Sequence, residues 1–412
     1  MRLSVGVYTL LFAHPALTLA SSGAGGNALA RLALGKLLRD GRDVFGDVDD
    51  SASPSPSLAS AYGYPGHANW MAALPDAMPI AQLNIPGTHD AATWNYSQAT
   101  QDGLSGATRC DGTTAGPARV YRCQRRSIAE ALEGGIRFFD LRFALDPLDA
   151  RLVFWHGPAL LSAAAGVEDV LFGFYAWLDA HPSETVLLSF QYEHGTRANA
   201  SSDARVQRML FETLTSDAAG RYVDQRRGTL GRLGEARGKI LLFRRFDLDA
   251  LPPAFEAAMP GLHMAPGKWA DNSQGFELVF NDTAADGSGT AFIEDYYHPG
   301  EYGPTAENIE AKFGAVETHL RRAAAGDRDS LFVTFTSGTH VEVDPPVYPV
   351  VMALGSRGEF GEMRAPAGTL IVRGVNQRLM AVLGEMRGER LGVVVMDFFE
   401  EPRGLVDLLL DF

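Results

Sequence analysis

Short apolar runs alternate with longer segments whose apolar residues recur every three or four positions through most of the chain. Gln82–Ile85, Arg137–Arg142, Leu152–Trp155, Thr185–Phe190, Lys239–Arg244, Phe276–Asn281, Leu331–Thr336 and Leu391–Phe398 are compact stretches of β-branched, Leu and aromatic residues, the composition of buried strands. Val167–Ala180 carries Val167, Val170, Leu171, Phe174, Trp177 and Leu178 on one helical face and stops before Pro182; residues 203–214, 305–325 and 369–387 repeat the pattern. Continuous apolar strands separated by amphipathic helices predict a parallel sheet covered by helices. The fold class is therefore α/β, a TIM-like (β/α) barrel of distorted form, with residues 69–412 as a single catalytic domain. In such a barrel the site gathers at the C-terminal ends of the strands, and His89, Arg142, His156, Arg245 and Asp397 all stand at or just past such ends.

Composition changes this picture only at its edges. The chain has 412 residues, 46% hydrophobic and 21% charged, an ordinary globular balance. A formal net charge of -14, with 36 Lys+Arg against 50 Asp+Glu, excludes nucleic acid as an expected partner and argues against broad attraction to anionic membranes. Residues 1–20, with Arg2, a mainly apolar stretch and small residues at its end, read as a signal peptide, so a secreted, extracellular protein without a transmembrane segment is expected. Residues 21–68 form an N-terminal arm with a helix over Ala28–Leu38 and a Ser/Pro-rich linker over Ser51–Pro65. Acceptor triplets at Asn95, Asn199 and Asn281 agree with export and glycosylation. Two cysteines, Cys110 and Cys123, predict one disulfide in that compartment.

The candidate chemistry lies in two histidines, each ending an apolar run and each followed by tight-turn residues: Leu83-Asn84-Ile85-Pro86-Gly87-Thr88-His89-Asp90 and Leu152-Val153-Phe154-Trp155-His156-Gly157-Pro158. Between them, Phe138-Phe139-Asp140-Leu141-Arg142 puts an acid and an arginine on a further strand. Two imidazoles and a guanidinium suit phosphoryl transfer. One imidazole takes a proton from the attacking group, the other returns one to the leaving group, and the guanidinium forks onto phosphate oxygens.

Gly87-Thr88-His89-Asp90, Asp140-Leu141-Arg142 and His156-Gly157-Pro158, continued by Pro182–Ser189, Arg237–Arg245 and Gly392–Asp397, together resemble the X domain of phosphatidylinositol-specific phospholipases C, especially the bacterial and fungal branch. The likeness runs from about Leu74 to the C-terminus. It implies His89 as general base, His156 as general acid, Arg142 on the phosphate, Asp397 behind His89, and Asp90 and Asp140 steadying the acid side and Arg142. For the carboxylates, roles as loop caps or ordinary ion pairs stand as alternatives. Animal members place two carboxylates at the positions of Asp140 and Arg142 to hold calcium, so the arginine implies metal-independent catalysis with no cofactor. Arg245, Asp295 and Tyr297 resemble head-group-binding residues, while Gln191 stands where the bacterial enzymes carry a lysine; Lys268 and Trp269 are candidates to reshape that pocket.

The function so implied is a secreted phosphodiesterase. It would cleave phosphatidylinositol-type lipids, or glycosylphosphatidylinositol anchors, at the phosphate–glycerol bond on a membrane surface, through a cyclic inositol phosphate. A phosphodiesterase on another glycerophospholipid, motivated by Gln191, and a catalytically inactive lipid-binding barrel are the alternatives. Trp94 and Tyr96, beside the first motif, are candidates for insertion at the lipid interface.

Overall fold

Eleven strands join into one sheet that curls into an almost closed barrel, with the long helices outside it. The structure is a computed structural model, described over residues 25–47, 67–108, 114–281, 287–300, 303–356 and 371–411. The strands are β1 (Ile85–Thr88), β2 (Phe138–Leu145), β3 (Leu152–His156), β4 (Ala159–Leu160), β5 (Thr185–Tyr192), β6 (Lys239–Arg245), β7 (Leu262–His263), β8 (Ser273–Phe280), β9 (Gly289–Asp295), β10 (Leu331–Phe335) and β11 (Val393–Met396). Around the wall they run β7-β6-β5-β2-β1-β11-β10-β9-β8, parallel at every step except the antiparallel β8–β9 pair. The long helices are α1 (Gly25–Asp40), α2 (Val167–Ala180), α3 (Ala204–Leu214), α4 (Thr305–Ala325) and α5 (Val375–Glu385).

The strands are apolar on both faces because each face has its own core. Ile85, Phe138, Leu187, Leu241, Phe243, Ala291, Ile293, Val393 and Val395 fill the barrel, whereas Phe139, Leu141, Val186, Leu188, Ile240, Leu242, Val394 and Met396 pack outward under the helices. Side chains alternate along a strand, so the inward row continues in steps of two. Following it upward gives Phe138, Asp140, Arg142; Leu187, Ser189, Gln191, Glu193; Phe243, Arg245; Ile293, Asp295, Tyr297; and Val395, Asp397. The polar site is thus the top of the same row whose lower part is the apolar plug. Gly87 belongs to that row, and a Cβ there would lie 3.0 Å from the Cβ of Phe138.

The floor of the barrel is tied by a fully buried ion pair. Arg137 donates to Glu184 Oε2 from Nη2 at 2.8 Å and from Nε at 3.1 Å, its Nη1 reaches the carbonyls of Leu132 and Ile136, and its Nη2 also reaches those of His67 and Ala68. Its guanidinium also faces the ring of Trp177, 4.7 Å from the centroid. Removing one member strands a charge in the interior, so Glu184→Ala is expected to destabilise the fold by about 3–5 kcal/mol. Denaturant unfolding checks this, and a loss under about 1 kcal/mol would refute it.

Several expectations from sequence need correction. The first strand begins at Ile85 rather than ending there, because Ile80–Gln82 is a helical turn and ladder pairing starts where Ile85 N meets Gly392 O at 2.9 Å. β3 is not a stave of the barrel: it pairs antiparallel with β2, Phe154 opposite Phe143, as a hairpin that doubles back toward Arg142. β9 is a full strand where only a recognition segment was expected. Asn281 cannot carry a glycan in this fold. It is 2% exposed, its Oδ1 accepts from His263 N at 2.6 Å, and its own N–H donates to His263 O at 3.0 Å, bridging the gap between β7 and β8. Asn95 and Asn199 are exposed.

The N-terminal arm is a packing element in its described part. α1 lies on α2, Phe45 meets Phe174 edge-on at 5.1 Å, and Trp94 Nε1 donates to Val44 O at 2.9 Å. That bond, and the burial of Tyr96 at 1% exposure, remove both aromatics as membrane-inserting residues. Residues 1–20, the linker 51–65 and Cys110 lie outside the described residues. Among the described residues no helix is long and apolar enough to cross a membrane.

Candidate active site

Three of the motif side chains are delivered by the same backbone device. The residues after His89, His156 and Asp397, namely Asp90 (φ 44°), Gly157 (φ 51°) and Phe398 (φ 47°), all take left-handed conformations. Each turns the chain sharply off and leaves the preceding side chain at the strand end pointing into the mouth. Aspartate and glycine accept that conformation readily, whereas the bulky Phe398 pays about 1 kcal/mol or more of backbone strain, held in place by Phe398 N donating to Cys123 O at 3.0 Å.

His89 sits between two partners that define its protonation. Its Nδ1 is 2.9 Å from Asp397 Oδ1, and Arg142 Nη2 is 2.8 Å from its Nε2. A guanidinium only donates, so Nε2 must accept and the ring proton must lie on Nδ1, donated to Asp397. Burial raises the pKa of Asp397, an effect that the neighbouring His89 opposes. Gln124, whose Nε2 donates to the carbonyls of both His89 and Met396, locks β1 to β11 beneath the ring.

His156 faces His89 across the mouth, ring centroids 6.4 Å apart and planes nearly perpendicular. Its Nδ1 lies 2.9 Å from both Tyr121 O and Asp90 Oδ2. Burial disfavours its charged form, but the Asp90 carboxylate outweighs that and lifts the pKa above the ordinary imidazole value. Asp90 shows the converse: burial would raise it, while Arg142 and His156 hold it well below the usual carboxylate range.

Arg142 is the hub of the cluster. Its Nε is 3.3 Å from Asp140 Oδ2 and 3.6 Å from Asp90 Oδ2, and its Nη1 is 3.9 Å from Glu193 Oε2. Those three carboxylates more than offset its burial and keep the guanidinium charged at any accessible pH. Asp140, fully buried, also accepts from Ser189 Oγ at 3.3 Å and Arg245 Nη1 at 3.4 Å, so it bridges the two arginines.

The residues expected to meet the head group form the opposite wall of a cavity of about 350 Å³. Arg245 lies flat under Trp269, 3.6 Å from the ring centroid, and Trp269 Nε1 donates to Asp295 Oδ2 at 2.8 Å. Tyr297, 38% exposed, donates to Asp271 Oδ1 at 2.9 Å; burial and that carboxylate push its pKa up to about 12. Gln191 stands in register between Arg142 and Arg245, and its Oε1 is buried without a hydrogen-bond partner. All ten proposed catalytic and binding residues except Asp90 and Asp140 line this cavity; those two lie directly beneath Arg142. Lys268 is not among its lining residues.

Two site residues escaped the sequence reading. Glu193 is the next inward position after Gln191, so strand parity could have found it; its Oε1 accepts from Gly157 N at 2.6 Å and so steadies the His156 turn. Cys123 is the second: the sequence reading assigns it to a disulfide with Cys110 and not to the site, whereas it stands unbridged. It is a free, fully buried thiol turned into the floor of the site, with its pKa pushed well up by burial and by Asp397 and Asp90. Its sulfur faces inward among the site residues, and Cys110 lies outside the described residues. Cys123 shares a close group of ligand-type atoms with His89 and Asp397 and another with Asp90 and His156. Neither suits calcium, which takes oxygen ligands, and the Arg142 guanidinium already holds the electropositive position beside both.

Comparison with known proteins places these features. Residues 115–246 match the family described as "Phosphatidylinositol-specific phospholipase C, X domain". The human "PI-PLC X domain-containing protein 3" is 31% identical over 234 residues, covering 52% of this chain and 67% of that protein. The "1-phosphatidylinositol phosphodiesterase" of Listeria monocytogenes is 27% identical over 341 residues, 81% of each chain. A solved phosphatidylinositol-specific phospholipase C from Staphylococcus aureus superposes with a TM-score of 0.60 at 18% identity, covering 84% of this chain and 97% of that one, which shows a common barrel fold.

Proposed function

This chain belongs to the phosphatidylinositol-specific phospholipase C X-domain family, and we propose that, as a phosphoric diester hydrolase of that family, it cleaves phosphatidylinositol-type lipids at the phosphate–glycerol bond with His89 as base and His156 as acid. The observation that carries the reading is the protonation pattern of the facing imidazoles. His89 presents a lone pair at Nε2 with its proton parked against Asp397, while Asp90 favours the protonated form of His156. A base and an acid stand ready on opposite sides of one cavity.

The substrate phosphate supplies what Arg142 lacks as a ligand. Drawn onto the phosphate oxygens, the guanidinium leaves His89 Nε2, which then takes the proton of the inositol 2-hydroxyl as that oxygen attacks phosphorus. The bond from phosphorus to the glycerol oxygen breaks, and His156 Nε2 gives that oxygen its proton. The products are diacylglycerol and a cyclic inositol phosphate. Arg142 supports a metal-independent reaction, since it brings fixed positive charge to the phosphate and spends the carboxylates of Asp90, Asp140 and Glu193 that a cation would need. Arg245, Asp295, Tyr297 and Gln191 form the head-group wall. The apolar N-terminal stretch supports action outside the cell, on a membrane surface.

Gln191 favours one second reading, a different glycerophospholipid, because a neutral amide there neither attracts nor repels a charged head-group substituent. Phosphorus NMR of mixed vesicles containing phosphatidylinositol and two other glycerophospholipids, with and without excess chelator, separates the cases. The expected result is a cyclic phosphodiester resonance at the expense of phosphatidylinositol alone, at the same rate with chelator. Cleavage of another lipid with phosphatidylinositol intact would establish the second reading, and loss of turnover on chelation would overturn metal independence.

A further inference from the structure

Beside the mouth of the cavity, but outside the catalytic cluster, two loops bring His298, His340 and Glu342 together. Each offers one ligand atom, and the three atoms lie within 4.8 Å of one another. His298 follows β9 directly after Tyr296 and Tyr297; His340 and Glu342 lie on the loop after β10. We propose that these three side chains form a surface site for a divalent transition cation of the zinc type, linking the two loops that carry the Tyr297 and Thr339 walls of the cavity. The site stands independently of the hydrolytic reading.

The ligand set and its geometry select this class of ion. Two imidazoles and one carboxylate are the donors that zinc and its neighbours take, whereas calcium and magnesium require oxygen shells. Ligand atoms on a tetrahedral zinc with bonds of about 2.0–2.1 Å are about 3.3 Å apart; His298 Nε2 and Glu342 Oε2 are 3.1 Å apart. The rings of His298 and His340 are 4.3 Å apart and inclined at 67°, edge toward face, so their nitrogens are not held parallel as in a stack.

His340 is prepared by the hydrogen bond that a metal-binding histidine needs behind it. Its Nδ1 is 2.6 Å from Asn308 Oδ1, and the orientation of that amide is settled because Asn308 Nδ2 donates to the carbonyls of Gly303 and Pro304. The amide oxygen accepts, so the His340 proton lies on Nδ1 and Nε2 keeps its lone pair. His340 and Asn308 are both 1% exposed, a buried support for the half-buried His298 and the exposed Glu342. The backbone is equally set. Asn272 bonds both the N–H and the carbonyl of His298, His340 exchanges two 2.8 Å bonds with Val347, and Thr339 N donates to Tyr297 O at 2.8 Å. Three ligands leave the fourth tetrahedral position for water.

The full chain, stripped with chelator and dialysed, is titrated with zinc by calorimetry and with cobalt(II) by absorption spectroscopy. The expected result is one zinc per chain and the visible bands of tetrahedral cobalt, with binding weakened about tenfold or more in His298→Ala and in Glu342→Gln. Both substitutions remove partly exposed side chains and leave the barrel core untouched. Cys123→Ser is expected to bind as the unaltered chain does. Absence of binding overturns the proposal, as does unchanged affinity in both surface variants. Loss confined to Cys123→Ser overturns it too, because the metal would then lie on the catalytic floor.

Discussion

His89→Ala is expected to lower kcat on phosphatidylinositol vesicles by about 10³- to 10⁴-fold, the upper part of the range for a single general base. The size follows from two losses at one position. The variant has no lone pair at the place where Arg142 now donates, so nothing accepts the hydroxyl proton, and Asp397 keeps its buried carboxyl with no imidazole to orient. In the proposed reading substrate binding relies on the far wall, Arg245 to Tyr297, so KM should move little. Single-turnover cleavage and a thermal melt of the purified variant measure both effects. A folded variant whose kcat stays within about tenfold of the unaltered chain would remove His89 from the role of base.

His156→Ala tests the other half of the proton inventory, and its effect depends on the leaving group. On the lipid, whose departing glycerol oxygen is strongly basic, kcat is expected to fall about 10³-fold. On a soluble inositol phosphodiester with a nitrophenolate leaving group, which departs without a proton, the loss should be within about tenfold. Equal losses on the two substrates would mean that His156 positions the substrate and is not the acid. The pH profile carries the same assignment. The raised pKa of His156 keeps its acid form to a higher pH than an ordinary imidazole, so the alkaline limb of kcat lies above the ordinary imidazole pKa. Asp90→Asn removes the charge that sustains the shift and should move that limb toward acid.

Much of the site was legible in the chain because strand parity is a local property. Asp140 and Arg142 are two apart, as are Asp295 and Tyr297, and each pair shares the face of an apolar residue two positions before it, Phe138 and Ile293. Helices with a clear three-and-four pattern were equally legible: α2 and α4 span the expected residues, whereas α5 is shorter than its pattern because Gly374 precedes its first turn. The misreadings have their own physical causes. Leu152–Trp155 has the composition of a buried strand whichever way it pairs, so composition could not tell a stave from a hairpin arm. Asn281-Asp282-Thr283 is a valid acceptor triplet whose asparagine the fold uses to bridge the barrel's open edge. An even number of cysteines says nothing about which way a thiol points, and Cys123 points inward.

The chain by itself determined the α/β alternation, the row of inward-facing polar residues at the strand tops and the chemical types at His89, Arg142, His156 and Asp397. All of these depend on periods of two or 3.6 and on neighbours within one element. Only the tertiary structure decided that Arg142 meets His89 Nε2 and that His298 meets His340 and Glu342 at the rim, and it brought about the meetings that the resemblance had implied, Asp397 behind His89 across 308 positions of sequence and Asp90 under His156. Those meetings arise when β11 closes against β1 and the β2–β3 hairpin folds back, and closure acts between segments whose sequences carry no record of their distance.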